Sequence, residues 1–146
     1  MAPRVRFYHN AREPLALARE LIASAVASGR KVAVRLTDAA SVRRLDQLLW
    51  TQDPLAFIPH VTLDSALAAE TPVVLASVEH AAPWPHADML FNLAADLAPD
   101  FASFRMVVEI VGPGEAATMD ARKRWMSYRQ QGLTPQAFDA ETRAAQ

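Results

Sequence analysis

Apolar and polar positions alternate over Arg4, Val5, Arg6, Phe7 and Tyr8, which predicts a short first strand. The spacing then changes. Leu15, Ala18, Leu21, Ile22, Ala25 and Val26 recur every three or four residues as far as Gly29, so 14–28 reads as an amphipathic helix with Pro14 in its first turn. A second strand follows in KVAVRL, 31–36. Thr37-Asp38 then offers a cap for a helix over 39–50, whose inner stripe is Val42, Leu45, Leu48 and Leu49. Trp50 ends that helix, Asp53-Pro54 breaks it, and Phe57-Ile58-Pro59-His60 is an irregular apolar loop or a short strand. Further strands are predicted at 73–77 (VVLAS), 89–93 (MLFNL) and 105–111 (RMVVEIV), with a loop over 78–88 and a brief helical turn from Pro99 to Phe104. A last helix lies in 112–132, between the breaks Gly112-Pro113-Gly114 and Gly132. After Gly132 the chain turns polar and is expected to be loosely ordered, with one short helix near 135–143.

The β-α-β-α order argues for parallel strands joined by right-handed crossovers. The expected fold is a single three-layer α/β/α Rossmann-like domain with a mainly parallel sheet, spanning 1–133, followed by a tail over 134–146. A length of 146 residues suits one core. The net charge of −1 argues against a protein that coats nucleic acid, since such domains are strongly basic. The absence of cysteine excludes disulfide and thiolate chemistry and fits a cytosolic, cytoplasmic location. No apolar run reaches signal-peptide or membrane-spanning length, so no membrane association is expected.

Charge is distributed unevenly. Residues 112–132 carry Arg122, Lys123, Arg124 and Arg129 against Glu115 and Asp120, whereas 1–111 are slightly acidic. Winding the last helix at about 100° per residue brings Thr118, Arg122, Trp125 and Arg129 within ~60° of one another, with Ala117, Ala121 and Tyr128 on the adjoining buried side. That edge has two readings. One is a solvated basic face whose tryptophan covers the core. The other is a site for an anion with an apolar end, because the guanidinium fork suits carboxylates and indole supplies apolar surface.

Catalytic chemistry is hard to find. The first strand-to-helix turn, FYHNAREP, has none of the glycines that let a backbone approach phosphate. Asp38, at the tip of the second strand, reads as a helix cap rather than a ribose ligand. His9, His60, His80 and His86 form no metal-binding spacing, and Ser77 lacks a glycine-flanked nucleophile elbow. No catalytic, cofactor or metal residue is assigned.

Several landmarks together resemble the chi subunit of bacterial DNA polymerase III. They are Phe7-Tyr8, Leu45-Asp46, Leu49-Trp50, Phe57-Ile58-Pro59-His60, Pro72-Val73 and Glu109-Ile110-Val111, and above all Ala121-Arg122-x-Arg124-Trp125-x-x-Tyr128-Arg129-x-x-Gly132. The resemblance runs from about residue 5 to residue 133. It implies a non-catalytic accessory protein of the clamp loader that pairs with the psi subunit. It also implies binding of the acidic C-terminal tail of single-stranded-DNA-binding protein, which ends in a proline-phenylalanine carboxylate. Carried onto this chain, the tail site comprises Val111, Thr118, Arg122, Trp125 and Arg129. The family position matching Thr118 can carry lysine, so one cation is missing here, and Trp125 stands where tyrosine is expected. Trp50, Phe57, Ile58 and Pro59 are either a core corner or the docking surface for psi or an accessory helicase.

The alternative is a small Rossmann-type nucleotide-binding enzyme with an atypical phosphate loop. The first reading places ligand at the last helix. The second places it at the carboxyl ends of the strands, near 9–13 and 37–38.

Overall fold

The computed structural model describes residues 2–50, 57–80, 83–143 and 145. Seven strands make one sheet: β1 (Arg4–His9), β2 (Val32–Leu36), β3 (His60–Thr62), β4 (Val73–Ser77), β5 (Met89–Asn92), β6 (Met106–Ile110) and β7 (Gln136–Asp139). Their order is β3-β4-β2-β5-β6-β1-β7, and every paired neighbour runs parallel. Parallel strands need long crossovers, which are supplied here by α1 (Pro14–Ala27), α2 (Ala39–Leu49) and α3 (Glu115–Gln130).

Two cores lie on opposite faces of the sheet. On one face Leu17, Ala18, Ile22 and Ala25 of α1 and Val42, Leu45 and Leu49 of α2 pack on Val34, Leu75, Phe91 and Val108. On the other, Ala121 and Tyr128 of α3 pack with Phe101 and Phe104 on Val5, Phe7, Leu90 and Val107. The result is the expected three-layer α/β/α arrangement. The central strands are buried on both sides, which explains their nearly continuous apolar runs.

Local chemistry sets the helix ends. Asp38 caps α2 by accepting from Ser41 N at 2.8 Å. At the end of α3, Gly132 adopts φ +85°; its N–H reaches Arg129 O at 3.0 Å and Leu133 N reaches Tyr128 O at 3.1 Å, a Schellman turn that needs a left-handed residue. The expected Asp53-Pro54 break lies outside the described residues.

The short helix expected near 135–143 is a correction. Residues 136–139 form β7 instead, the outermost strand beside β1. Tertiary contact decides this: Phe138 stacks on Tyr8 at 5.3 Å, and Ala137 lies opposite Phe7 in the register. Asp139 then accepts from Glu141 N and Thr142 N, closing a turn where a helix would have continued.

Candidate functional site

β1 and β6 are neighbours, yet β1 leads into α1 on one face and β6 leads into α3 on the other. Chains that leave adjacent strands toward opposite faces open a crevice at the strands' carboxyl ends, the usual ligand position in such sheets. The two exits are tied together, with Ala11 N donating to Val111 O and Val111 N to Tyr8 O, both at 2.9 Å.

A groove of about 260 Å³ occupies this crevice. Its walls come from Phe7, His9 and Asn10 of β1 and its turn, from Val111 through Gly114, from Thr118, Ala121, Arg122 and Trp125 of α3, and from Ala137 of β7. The structure therefore brings Val111, Thr118, Arg122 and Trp125 together. Arg129 is exposed on α3 and does not line the groove. Among the described lining residues Arg122 carries the one guanidinium. Thr118 turns its hydroxyl back to Gly114 O at 2.9 Å. Gly114, at φ +101°, is the N-cap of α3 and has no side chain with which to occupy the first-turn N–H groups, so the positive end of the helix faces the same space.

Trp125 is held against Phe7, with ring centroids 5.1 Å apart. Phe7 and Phe101 in turn meet Tyr128 edge-on at 5.8 and 5.0 Å. Beneath them runs a buried polar row that fixes α3. Arg35, Asn92, Glu109 and Phe7 are successive cross-strand partners on β2, β5, β6 and β1. Glu109 accepts from Tyr128 Oη at 2.6 Å, Arg124 Nε at 2.8 Å and Asn92 Nδ2 at 3.1 Å. Arg124 also donates to Ala95 O at 2.7 Å, and Arg35 bonds Asn92 Oδ1 and the Asp96 carboxylate. Burial pushes the Glu109 carboxyl above its ordinary range, against the pull of Arg124. The Tyr128 hydroxyl is pushed up by burial and then by Glu109.

Arg124 is thus spent inside the protein, and the basic face of α3 holds one cation fewer than its sequence suggests. Phe7 and Ala137 also line the groove without having been anticipated, and His9 and Asn10 had been placed only in the nucleotide-binding alternative. Phe7 precedes α3 by more than 95 residues and Ala137 follows it on β7, and the placing of β1 between β6 and β7 joins them at the groove. Because His9 and Asn10 border it, the α3 groove coincides with part of the strand-end region at 9–13.

A second surface feature sits at the end of α2. Trp50 is 60% exposed and Phe57 40%, with ring centroids 4.8 Å apart. His60 lies edge-on to Trp50 at 5.5 Å, and its Nε2 is 3.0 Å from Asp46 Oδ1. Pro59 is exposed beside them, whereas Ile58 is 5% exposed and packs within the core.

Among the described residues no three His, Cys, Asp or Glu side chains are grouped to hold a metal, and no helix is long and apolar enough to cross a membrane.

Residues 2–136 match the family described as DNA polymerase III chi subunit, HolC. Curated proteins named DNA polymerase III subunit chi are similar along most of the chain. The Haemophilus influenzae protein is 32% identical over 123 residues, 80% of this chain and 80% of that protein. The Pseudomonas aeruginosa protein is 36% identical over 119 residues, 81% of this chain and 80% of that one. The Escherichia coli K12 protein is 32% identical over 120 residues, 78% and 77% respectively.

Proposed function

The chain belongs to the DNA polymerase III chi subunit family, and from that premise we propose that it is a non-catalytic, cytoplasmic accessory subunit of the clamp loader whose α3 groove binds the acidic C-terminal tail of single-stranded-DNA-binding protein. The observation that carries this reading is the pairing of one guanidinium, Arg122, and the uncapped α3 N-terminus with an apolar recess formed by Val111, Phe7, Ala121 and Trp125. A terminal carboxylate suits the first and a phenylalanine ring the second. At about 260 Å³ the groove falls below the ~300–1,000 Å³ typical of drug-sized ligand sites, which favours one peptide side chain over a nucleotide. Thr118 adds no charge, and exposed Arg129 acts on acidic residues further up the tail through longer-range attraction.

The Trp50–Phe57 pair with Pro59 is the docking surface for psi or an accessory helicase. Two large rings, one of them mostly in water, are covered by a partner at a gain in apolar burial.

The test is a titration with a labelled acidic peptide ending in Pro-Phe. The free acid should bind saturably, and the same peptide with an amidated C-terminus should bind at least tenfold more weakly. Equal binding of the two would remove the carboxylate from the account.

A further inference from the structure

On the other face of the sheet, at the opposite end of β1, the edge of α1 leaves a second groove of about 410 Å³. Strand alternation directs Arg4 and Arg6 of β1 into it, with Ser24 and Ser28 of α1 on the facing wall. The apolar side chains of Met106 and Val108 lie between them. Arg30 closes one end and is already satisfied: Asp88 accepts from its Nε at 2.9 Å and its Nη2 at 2.7 Å.

Arg4 and Arg6 differ. Among the described residues neither forms an ion pair. The Arg6 Nε is buried without a hydrogen-bond partner, although its guanidinium lies 5.6 Å from the centroid of the Phe138 ring. A buried N–H without an acceptor is costly, so the Arg6 side chain is not fully satisfied within the protein.

We infer that this groove is a docking site, separate from the α3 groove, for an extended acidic segment of a partner polypeptide whose carboxylates two residues apart meet Arg4 and Arg6. The geometry favours a peptide: same-side residues of a strand repeat every ~6.6 Å, so Arg4 and Arg6 share the spacing of alternate side chains in an extended chain. The charge favours it as well. A short acidic segment needs only a local positive patch, whereas a nucleic acid strand would meet a molecule of net charge −1 and sequence pI ≈ 6.4. In the same extended chain the intervening side chain points away from Arg4 and Arg6.

The experiment uses the full chain and a labelled ten-residue peptide alternating Glu and Leu, amidated so that it offers no terminal carboxylate to Arg122. Fluorescence anisotropy should show saturable binding that weakens at least tenfold in the double variant Arg4→Gln/Arg6→Gln and is unchanged in Arg122→Ala. Arg4 is exposed and outside both cores, so Arg4→Gln alone keeps the fold and should weaken binding at least threefold. Unlabelled oligothymidylate of ten nucleotides should not displace the peptide. No saturable binding to the parent chain, parent-like binding by the double variant, or parent-like binding by Arg4→Gln would each overturn the inference. Loss of binding in Arg122→Ala would move the peptide to α3, and displacement by the oligonucleotide would make the groove a nucleic-acid site; either result also overturns it.

Discussion

Arg124 Nε donates to Glu109 Oε1 at 2.8 Å, and both side chains are almost wholly withdrawn from solvent. This pair joins α3 to β6 and so fixes where Arg122 and Trp125, on neighbouring positions of the same helix, stand above the groove. Removing one partner of a buried ion pair leaves an uncompensated charge, so Arg124→Ala should cost ~3–5 kcal/mol in urea denaturation. A loss under ~1 kcal/mol for Arg124→Ala would show that the pair does not anchor the helix.

Acid stability should depend on Asp88. The hydrogen bond from Arg30 holds this carboxyl below its usual range. Its folded pKa is therefore lower than its unfolded one, so its stabilising contribution is present above the ordinary aspartate range and is lost as pH falls through the folded value. Asp96 behaves alike through Arg35. Melting temperature measured from about pH 6 to pH 2 should fall less steeply for Asp88→Asn than for the parent. Parallel curves would mean that the Arg30 contact does not persist in solution.

Trp50 and Phe57 should anchor a partner independently of the α3 groove. Phe57→Ala is expected to weaken the complex with psi by ~1–3 kcal/mol and to leave binding of the Pro-Phe peptide unchanged. Isothermal titration of both ligands checks this. Loss of both affinities together, or of the fold, would make Phe57 a structural residue.

Much of this molecule was legible along the chain. The three helices, the buried strands and the Asp38 cap follow from spacing and end residues that act locally. What was not legible depends on contacts across the sheet. β7 has only four residues and too weak an alternation to be read alone, and it becomes a strand because β1 presents an edge to it. Arg124 sits among exposed helix residues, and only Glu109 inside an otherwise apolar strand hinted that a buried cation would be needed. The helical wheel grouped Arg129 with Arg122, although the groove ends before reaching it. Ile58 shares an apolar run with Phe57 but points the other way, into the core.

The central claim is that Arg122 holds the terminal carboxylate of the tail peptide while Val111 and Trp125 cover its phenylalanine. Burying that ring contributes ~1.5–3 kcal/mol and the charge-assisted hydrogen bond about as much again. Ordering of a flexible tail offsets part of this, so affinity should be on the order of micromolar and should weaken as salt rises past ~0.15 M. The most direct measurement is the dissociation constant of the Pro-Phe peptide for Arg122→Ala, with Arg43→Ala on α2 as control. A rise of at least tenfold for Arg122→Ala, with unchanged melting temperature and a parent-like Arg43→Ala, is the predicted result. Parent-like binding by Arg122→Ala would contradict the account and leave the exposed side of α3 as a solvated basic face.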